Sequence, residues 1–158
     1  MAESDPDLAR TLATATLAPQ AGGPAELFPP LVVSALGDRA AAEAAFRALR
    51  QRKPRWSWRG GWYERLLEYD CGEMTPQQLL AQAGASEFNL CEANLHIAMK
   101  YLADGNRAEA RRHFQASADT GVYYYIEFLW SRTCLARMNQ DPNWPRWVSS
   151  RATQPSVP

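Results

Sequence analysis

No run of 18 apolar residues occurs anywhere in the 158-residue chain, so nothing in it reads as a membrane-spanning helix. Cysteine is sparse: Cys71, Cys91 and Cys134 are odd in number, widely spaced and form no CxxC pair. That pattern argues against a disulfide framework and reads as reduced, mostly buried thiols, one disulfide plus a free thiol being the other arrangement the count permits. Histidine occurs twice, at His96 and His113. Glu92 and His96, at i and i+4, share a helix face and make half a metal site, but no second half is present and no metal is expected. GxSxG, HExxH, GxxxxGK[ST] and GxGxxG are all missing, which leaves no catalytic or cofactor signature and predicts a non-enzyme without cofactor. Net charge is also lacking. Seventeen basic residues balance seventeen acidic ones, which disfavours strong nucleic-acid binding. The opening Met-Ala-Glu-Ser-Asp-Pro-Asp has no basic region, and the Thr/Ala-rich stretch after it is too polar for a leader. A soluble, cytoplasmic protein is expected, or an envelope protein if a signal has been removed.

What the chain does have is helix punctuation. With 46% apolar and 22% charged residues it has the composition and length of one globular domain. Asp5-Pro6 reads as a cap and first position of a helix to about Ala18, followed by a Pro/Gly linker over 19–24. A second helix is expected from about Ala25 to Leu36, delayed by Pro29 and Pro30, and a third over the Ala-rich run Arg39–Arg52. Further helices are expected over about Gly60–Tyr69 and from Thr75 to Ala83, the latter opened by the capping box Thr75-Pro76-Gln77-Gln78. Asn89-Leu90-Cys91-Glu92 repeats that logic and opens a helix ending near Ala103. Asn106, with Glu109 three residues on, opens the next, to about Thr120. Val122, Ile126, Leu129, Trp130 and Thr133 recur at helical spacing and give the last. No segment reads convincingly as a strand. The organisation expected is an N-terminal helix and linker over 1–22, a helical domain over 23–138 and a Pro-rich tail over 139–158. That tail reads as extended or disordered, with Trp144 and Trp147 placed to pin it.

The charges are balanced in sum but segregated along the chain. Residues 39–65 hold eight basic side chains against Glu43 and Glu64, so one face could attract anions. Within that stretch lies Arg52-Lys53-Pro54-Arg55-Trp56-Ser57-Trp58-Arg59-Gly60-Gly61-Trp62-Tyr63. Trp, Tyr and Arg dominate protein-binding hot spots, and interleaved basic and aromatic residues also stack nucleic-acid bases. The same residues equally suit a linker whose tryptophans plug a gap between helices, and both readings stand. Trp56, Trp58, Arg59, Trp62 and Arg65 are the candidate partner-binding residues here. A second candidate surface is Tyr123, Tyr124, Tyr125 and Phe128, a face for a homodimer.

Turn signals recur at Gly37-Asp38, Gly72-Glu73 and Gly105-Asn106, spaced 35 and 33 residues apart. Residues 91–124 carry Ile97, Ala98, Tyr101, Gly105, Ala110, Phe114 and Ser117 in a large, small, aromatic, glycine, small, aromatic, small order. Small residues let two helices of a hairpin approach, and aromatic ones fill the gap to the next. Residues 23–56 repeat it in part through Val33, Gly37, Ala42, Phe46 and Pro54, while 57–90 keeps Leu67 and Leu80 but has Pro76 at a small-residue position. Over about 23–138 the chain thus resembles the tetratricopeptide repeat (TPR) family, whose period is about 34 residues. Cys91-Glu92-Ala93 through Phe114, then Tyr125-Ile126-Glu127, is also similar to bacterial TPR lipoproteins that act as adaptors for proteases and wall enzymes. The resemblance implies an all-α, TPR-like array of antiparallel hairpins with a C-terminal capping helix, holding a peptide or partner helix in a groove. The groove positions would be Leu95, His96 and Met99 together with the Trp-rich segment. The Lys/Asn/Arg clamp by which some members grip a C-terminal carboxylate is absent, so an apolar and aromatic grip is implied. The function expected is a protein-interaction scaffold or adaptor, or else a self-associating auxiliary subunit of an enzyme complex.

Overall fold

The computed structural model describes residues 24–52 and 61–148, and within them the protein is all-helical, with seven α-helices and no strand. A 3-10 turn, Pro24–Leu27, leads into α1 (Phe28–Ala35); then follow α2 (Arg39–Gln51), α3 (Trp62–Asp70) and α4 (Pro76–Ala83). The longest helix is α5 (Glu87–Ala103), and α6 (Arg107–Asp119) and α7 (Ile126–Gln140) complete the set. The expected helix over 5–18 and the Trp56-Ser57-Trp58-Arg59 run lie outside the described residues.

The local signals explain most boundaries. Pro29 and Pro30 sit in the first turn of α1, where backbone N–H groups have no intrahelical acceptor and proline costs nothing. Asp38 caps α2 by accepting the Ala41 N–H, and Asn106 caps α6 by accepting that of Glu109. Thr75 and Gln78 form the reciprocal capping box of α4. At Gly37 the backbone turns left-handed (φ 94°), and the Asp38 N–H returns to the Val33 carbonyl at 3.1 Å, closing α1. Two starts differ from the sequence reading. α5 begins three residues early because Ser86, not Asn89, is its cap, accepting the Asn89 N–H. α7 begins late, because Gly121–Tyr125 are spent on turns.

The helices form hairpins α1/α2, α3/α4 and α5/α6, with α7 packed on α6 and α5. α5 is the centre: α1, α3, α4, α6 and α7 all lie against it, and every residue from Cys91 to Met99 is buried. The first hairpin reaches the third directly through α1 and α5. In a linear array the middle hairpin would separate them, so the short α3/α4 pair stands to one side. One core runs through the whole, from Leu27 and Leu31 through Phe46, Leu66, Leu79 and Ile97 to Phe114 and Met138.

Of the tail, residues 141–148 are described: they form no helix or strand and fold back onto the body, with Trp144 and Trp147 against it as the sequence reading allowed. Arg107 donates to the carbonyls of Asn143, Trp144, Pro145 and Val148 at 2.7–3.2 Å, and Trp147 Nε1 donates to the Ala35 carbonyl at 3.1 Å.

Candidate protein-binding surface

Because α5 is covered on all sides, the residues expected to line a groove are inside. Leu95 is fully buried, and His96 and Met99 nearly so. Trp62 is 3% exposed and points inward, donating from Nε1 to Glu92 Oε2 at 2.5 Å, while Tyr63 Oη lies 3.2 Å from Glu92 Oε1. None of these four groove candidates can touch a partner while α5 stays covered. Arg65 is exposed and paired with Glu68. Trp56, Trp58 and Arg59 lie outside the described residues.

Instead of a groove, the α3/α5/α7 junction holds buried polar groups. His96 Nδ1 sits 2.8 Å from Asp70 Oδ2, with Glu92 and Glu127 close enough to act on the imidazole. Burial alone would push the His96 pKa down, but Asp70 above all, with Glu127 and Glu92, outweighs it and the net shift is upward. On the opposite side of α5, Asn94 Nδ2 donates to the Leu90 carbonyl, which turns its Oδ1 toward His113 Nδ1 at 2.8 Å. His113 Nε2 then faces Arg112 Nη2 at 2.7 Å and must accept, so this ring is neutral with its proton on Nδ1. Burial first, and Arg112 second, hold its pKa down to about 4. The thiols are also held protonated: burial pushes Cys71 up to about 11 and Cys134 up to about 12, and raises Cys91. A thiol so raised is a poor nucleophile. His96 and Asp70 Oδ2, and Asn94 and His113, are paired inside the protein, while Asp70 Oδ1 is buried without a hydrogen-bond partner among the described residues.

The basic run is neutralised where it is described. Arg39 pairs with Asp104 and Glu43, Arg47 with Glu43, Arg50 with Glu68 and Glu73, and Arg52 with Glu26. Each carboxylate opposite an arginine reduces the potential the run would present to an anion. Three of these pairs, Arg39–Asp104, Arg39–Glu43 and Arg47–Glu43, rim a cleft of about 240 Å³ walled by Leu31, Ala42, Phe46 and Lys100, small beside the several hundred Å³ usual for a ligand pocket.

The outer surface carries a different feature. Tyr123 is 72% exposed and Tyr124 62%, and they meet edge-on with ring centroids 5.5 Å apart. Tyr124 meets Tyr125 in the same way at 5.3 Å, and Phe88 lies 5.4 Å from Tyr125 and 6.3 Å from Tyr124. Ile126 and Leu129 extend this aromatic face along α7 and are 43% and 53% exposed. The arrangement follows from the Gly121–Tyr125 turns, which hold the three tyrosines off any helix and let two rings project together. Val122 goes the other way, into a small cluster with Cys91 and Phe128. Of the four residues read as a homodimer face, Phe128 is therefore 8% exposed and only Tyr123, Tyr124 and Tyr125 reach the surface. Ile126 and Leu129 were read as helix-spaced apolar positions of the last helix without a side being assigned. Phe88 was missed, since a single phenylalanine among polar neighbours carries no signal of its own.

Among the described residues no group of three His, Cys, Asp or Glu side chains is placed to hold a metal, and no helix is long and apolar enough to cross a membrane. Compared with protein-family models, curated proteins and solved structures, the chain matches none of them.

Proposed function

We propose that this protein is a TPR-like interaction module, an adaptor without chemistry of its own, which holds a partner protein on the Phe88–Tyr123–Tyr124–Tyr125 face. The observation that carries the reading is that face. Clustered, solvent-facing tyrosines beside exposed Ile126 and Leu129 expose apolar area that the fold does not use. Such rings supply large contact area at low conformational cost and are enriched in protein interfaces. The hairpin order, the left-handed glycines at 37, 72 and 105 and the Ala110–Phe114 packing support the TPR-like part of the reading. The side-stepped α3/α4 hairpin makes it an irregular version of such an array. A grip inside a groove lined by Trp62, Leu95, His96 and Met99 would require α5 to be uncovered, so the aromatic face takes that role.

A photo-crosslinking residue in place of Tyr124, and a control in place of exposed Gln82 on α4, tests this in the source cells. A protein adduct at 124 that is absent at 82, and that is lost with Phe88→Ala, is the expected result. Equal labelling at both positions, or none at 124, would sink the reading. Tyr124→Ala should leave the fold stable to within about 0.5 kcal/mol, as for surface substitutions generally.

A further inference from the structure

Along one stripe of α5 the polar residues Glu92, His96 and Lys100 recur every four positions, and all of them meet α3. Glu92 takes the Trp62 indole N–H at 2.5 Å and lies 3.2 Å from Tyr63 Oη. His96 pairs with Asp70 at 2.8 Å. Lys100 Nζ donates to the Tyr69 and Asp70 carbonyls at 2.9 and 3.4 Å, and sits 4.6 Å from the centre of the Tyr69 ring. Those carbonyls lie in the last turn of α3, at the negative end of its dipole, where a cation is favoured. Polar rungs thus join α3 to α5.

The first and third hairpins pack on each other through α1 and α5, and the α3/α4 hairpin stands beside them. It is tied to α2 by Arg50, which pairs with Glu68 and Glu73 near the surface, where ion pairs are worth little. One atom of the middle rung is left over. Asp70 Oδ1 is buried without a hydrogen-bond partner among the described residues, a cost that water would remove if the hairpin lifted. Against opening stand Leu66, Leu67 and Leu79, which are buried in the common core. Opening is therefore a rare excursion whose frequency depends on the rungs.

The His96–Asp70 rung is the one that changes charge near neutral pH. The charged groups acting on His96 are Asp70 from α3, Glu127 from α7 and Glu92 from α5 itself, with Lys100 one turn along the same helix. Tyr63 and Tyr69, the other buried titratable groups of α3, are engaged by Glu92 and Lys100. The inward residues of α1 and α4 are apolar, and the titratable group that α6 turns inward, His113, is bonded to Asn94. The carboxylates favour the proton on His96. Once it leaves, Asp70 is a buried carboxylate facing a neutral ring.

We propose that the α3/α4 hairpin opens from α5 as a unit, latched by the Glu92–His96–Lys100 stripe, and that loss of the His96 proton releases the latch. Opening bares His96 on α5 and Trp62 on α3, two of the positions that the sequence resemblance assigns to a groove, and so supplies the uncovering that a groove in this fold requires. The latch is independent of the tyrosine face.

Amide hydrogen exchange of the native chain, corrected for intrinsic rates, reads the opening constant of each helix. Amides of α3 and α4 should share one opening constant, larger than that of α6 at every pH. It should rise from about pH 6.5 to about 8.5 by at least about threefold, and by no more than about tenfold per pH unit, the ceiling for one proton. Asp70→Asn, which keeps the shape of the side chain and removes its charge, should give a larger constant that depends more weakly on pH. The wild-type profile decides the question by itself if that variant fails to fold. A hairpin constant equal to that of α6 would overturn the separate opening. A larger constant that is flat over this range, or one as steep in Asp70→Asn as in the wild type, would overturn the latch.

Discussion

His96 Nδ1 and Asp70 Oδ2 are 2.8 Å apart with both side chains excluded from water, and this pair ties α3 to α5 at the centre of the molecule. Breaking a buried charged pair by removing one partner leaves the other uncompensated. His96→Gln should therefore cost about 3–5 kcal/mol in urea unfolding.

The same pair fixes a pH dependence. The His96 pKa is raised in the folded state by Asp70, Glu127 and Glu92 against the cost of burial. A raised pKa means that the folded state holds the proton more tightly than the unfolded one. The stabilisation is thus complete below the unfolded value of about 6.5 and disappears as pH climbs through the folded value above it. The urea midpoint of the wild type should fall between neutral and alkaline pH, and that of His96→Gln should fall less. Parallel curves would show that His96 is neutral in the native protein.

His113 should behave in the opposite sense. Its pKa is depressed to about 4 by burial and by Arg112, so the unfolded chain takes up the proton first as the solution is acidified. Stability should be lost as pH falls from about 6.5 toward 4, by about 2 kcal/mol at pH 5. The comparison with His113→Gln, whose curve should be flatter between pH 6.5 and 5, isolates this from carboxylate titration at lower pH. An NMR titration showing His113 protonated at pH 6 would overturn the tautomer assignment.

Trp62 offers a test of burial against exposure. Its indole N–H is given to Glu92, so Trp62→Phe removes one donor from a buried carboxylate and leaves part of the indole's volume unfilled. The expected loss is about 1–3 kcal/mol. A change within experimental error would put the indole at the surface, where the sequence alone had allowed it to be.

What was legible in the sequence was local. Asp38, Thr75 and Asn106 act on N–H groups three residues away, and Gly37, Gly72 and Gly105 set the sense of the chain at their own positions, so each signal is contained in one short window. The centre of the fold was not legible for the converse reason. Helix α5 is buried all round from Cys91 to Met99, which removes the amphipathic contrast that would have told inside from outside. Glu92, Asn94 and His96 then look like surface residues until their partners Trp62, His113 and Asp70 are known. The side of α7 was hidden similarly, because Glu127 is buried and Leu129 is not. Phe88 meets Tyr124 and Tyr125 only through the fold, across more than thirty residues of chain.

The tail is the other feature set by a distant residue. Pro142 and Pro145 suggest a chain with no regular structure, and residues 141–148 are indeed irregular, yet they are tied down. A planar guanidinium at Arg107 reaches four carbonyls, those of Asn143, Trp144, Pro145 and Val148, of which that of Pro145 also accepts the Val148 N–H. Arg107→Ala should remove that hub at a cost of about 2–3 kcal/mol, the scale of hydrogen bonds to a charged group. The effect should be local first: trypsin should cut after Arg146 faster, and emission from Trp144 and Trp147 should move to the red while the helical signal is retained. Arg107→Lys keeps the charge but lacks the fork, so it should fall between alanine and the wild type. Equal cutting rates in all three proteins would show that Trp147, through its bond to the Ala35 carbonyl, holds the tail without Arg107.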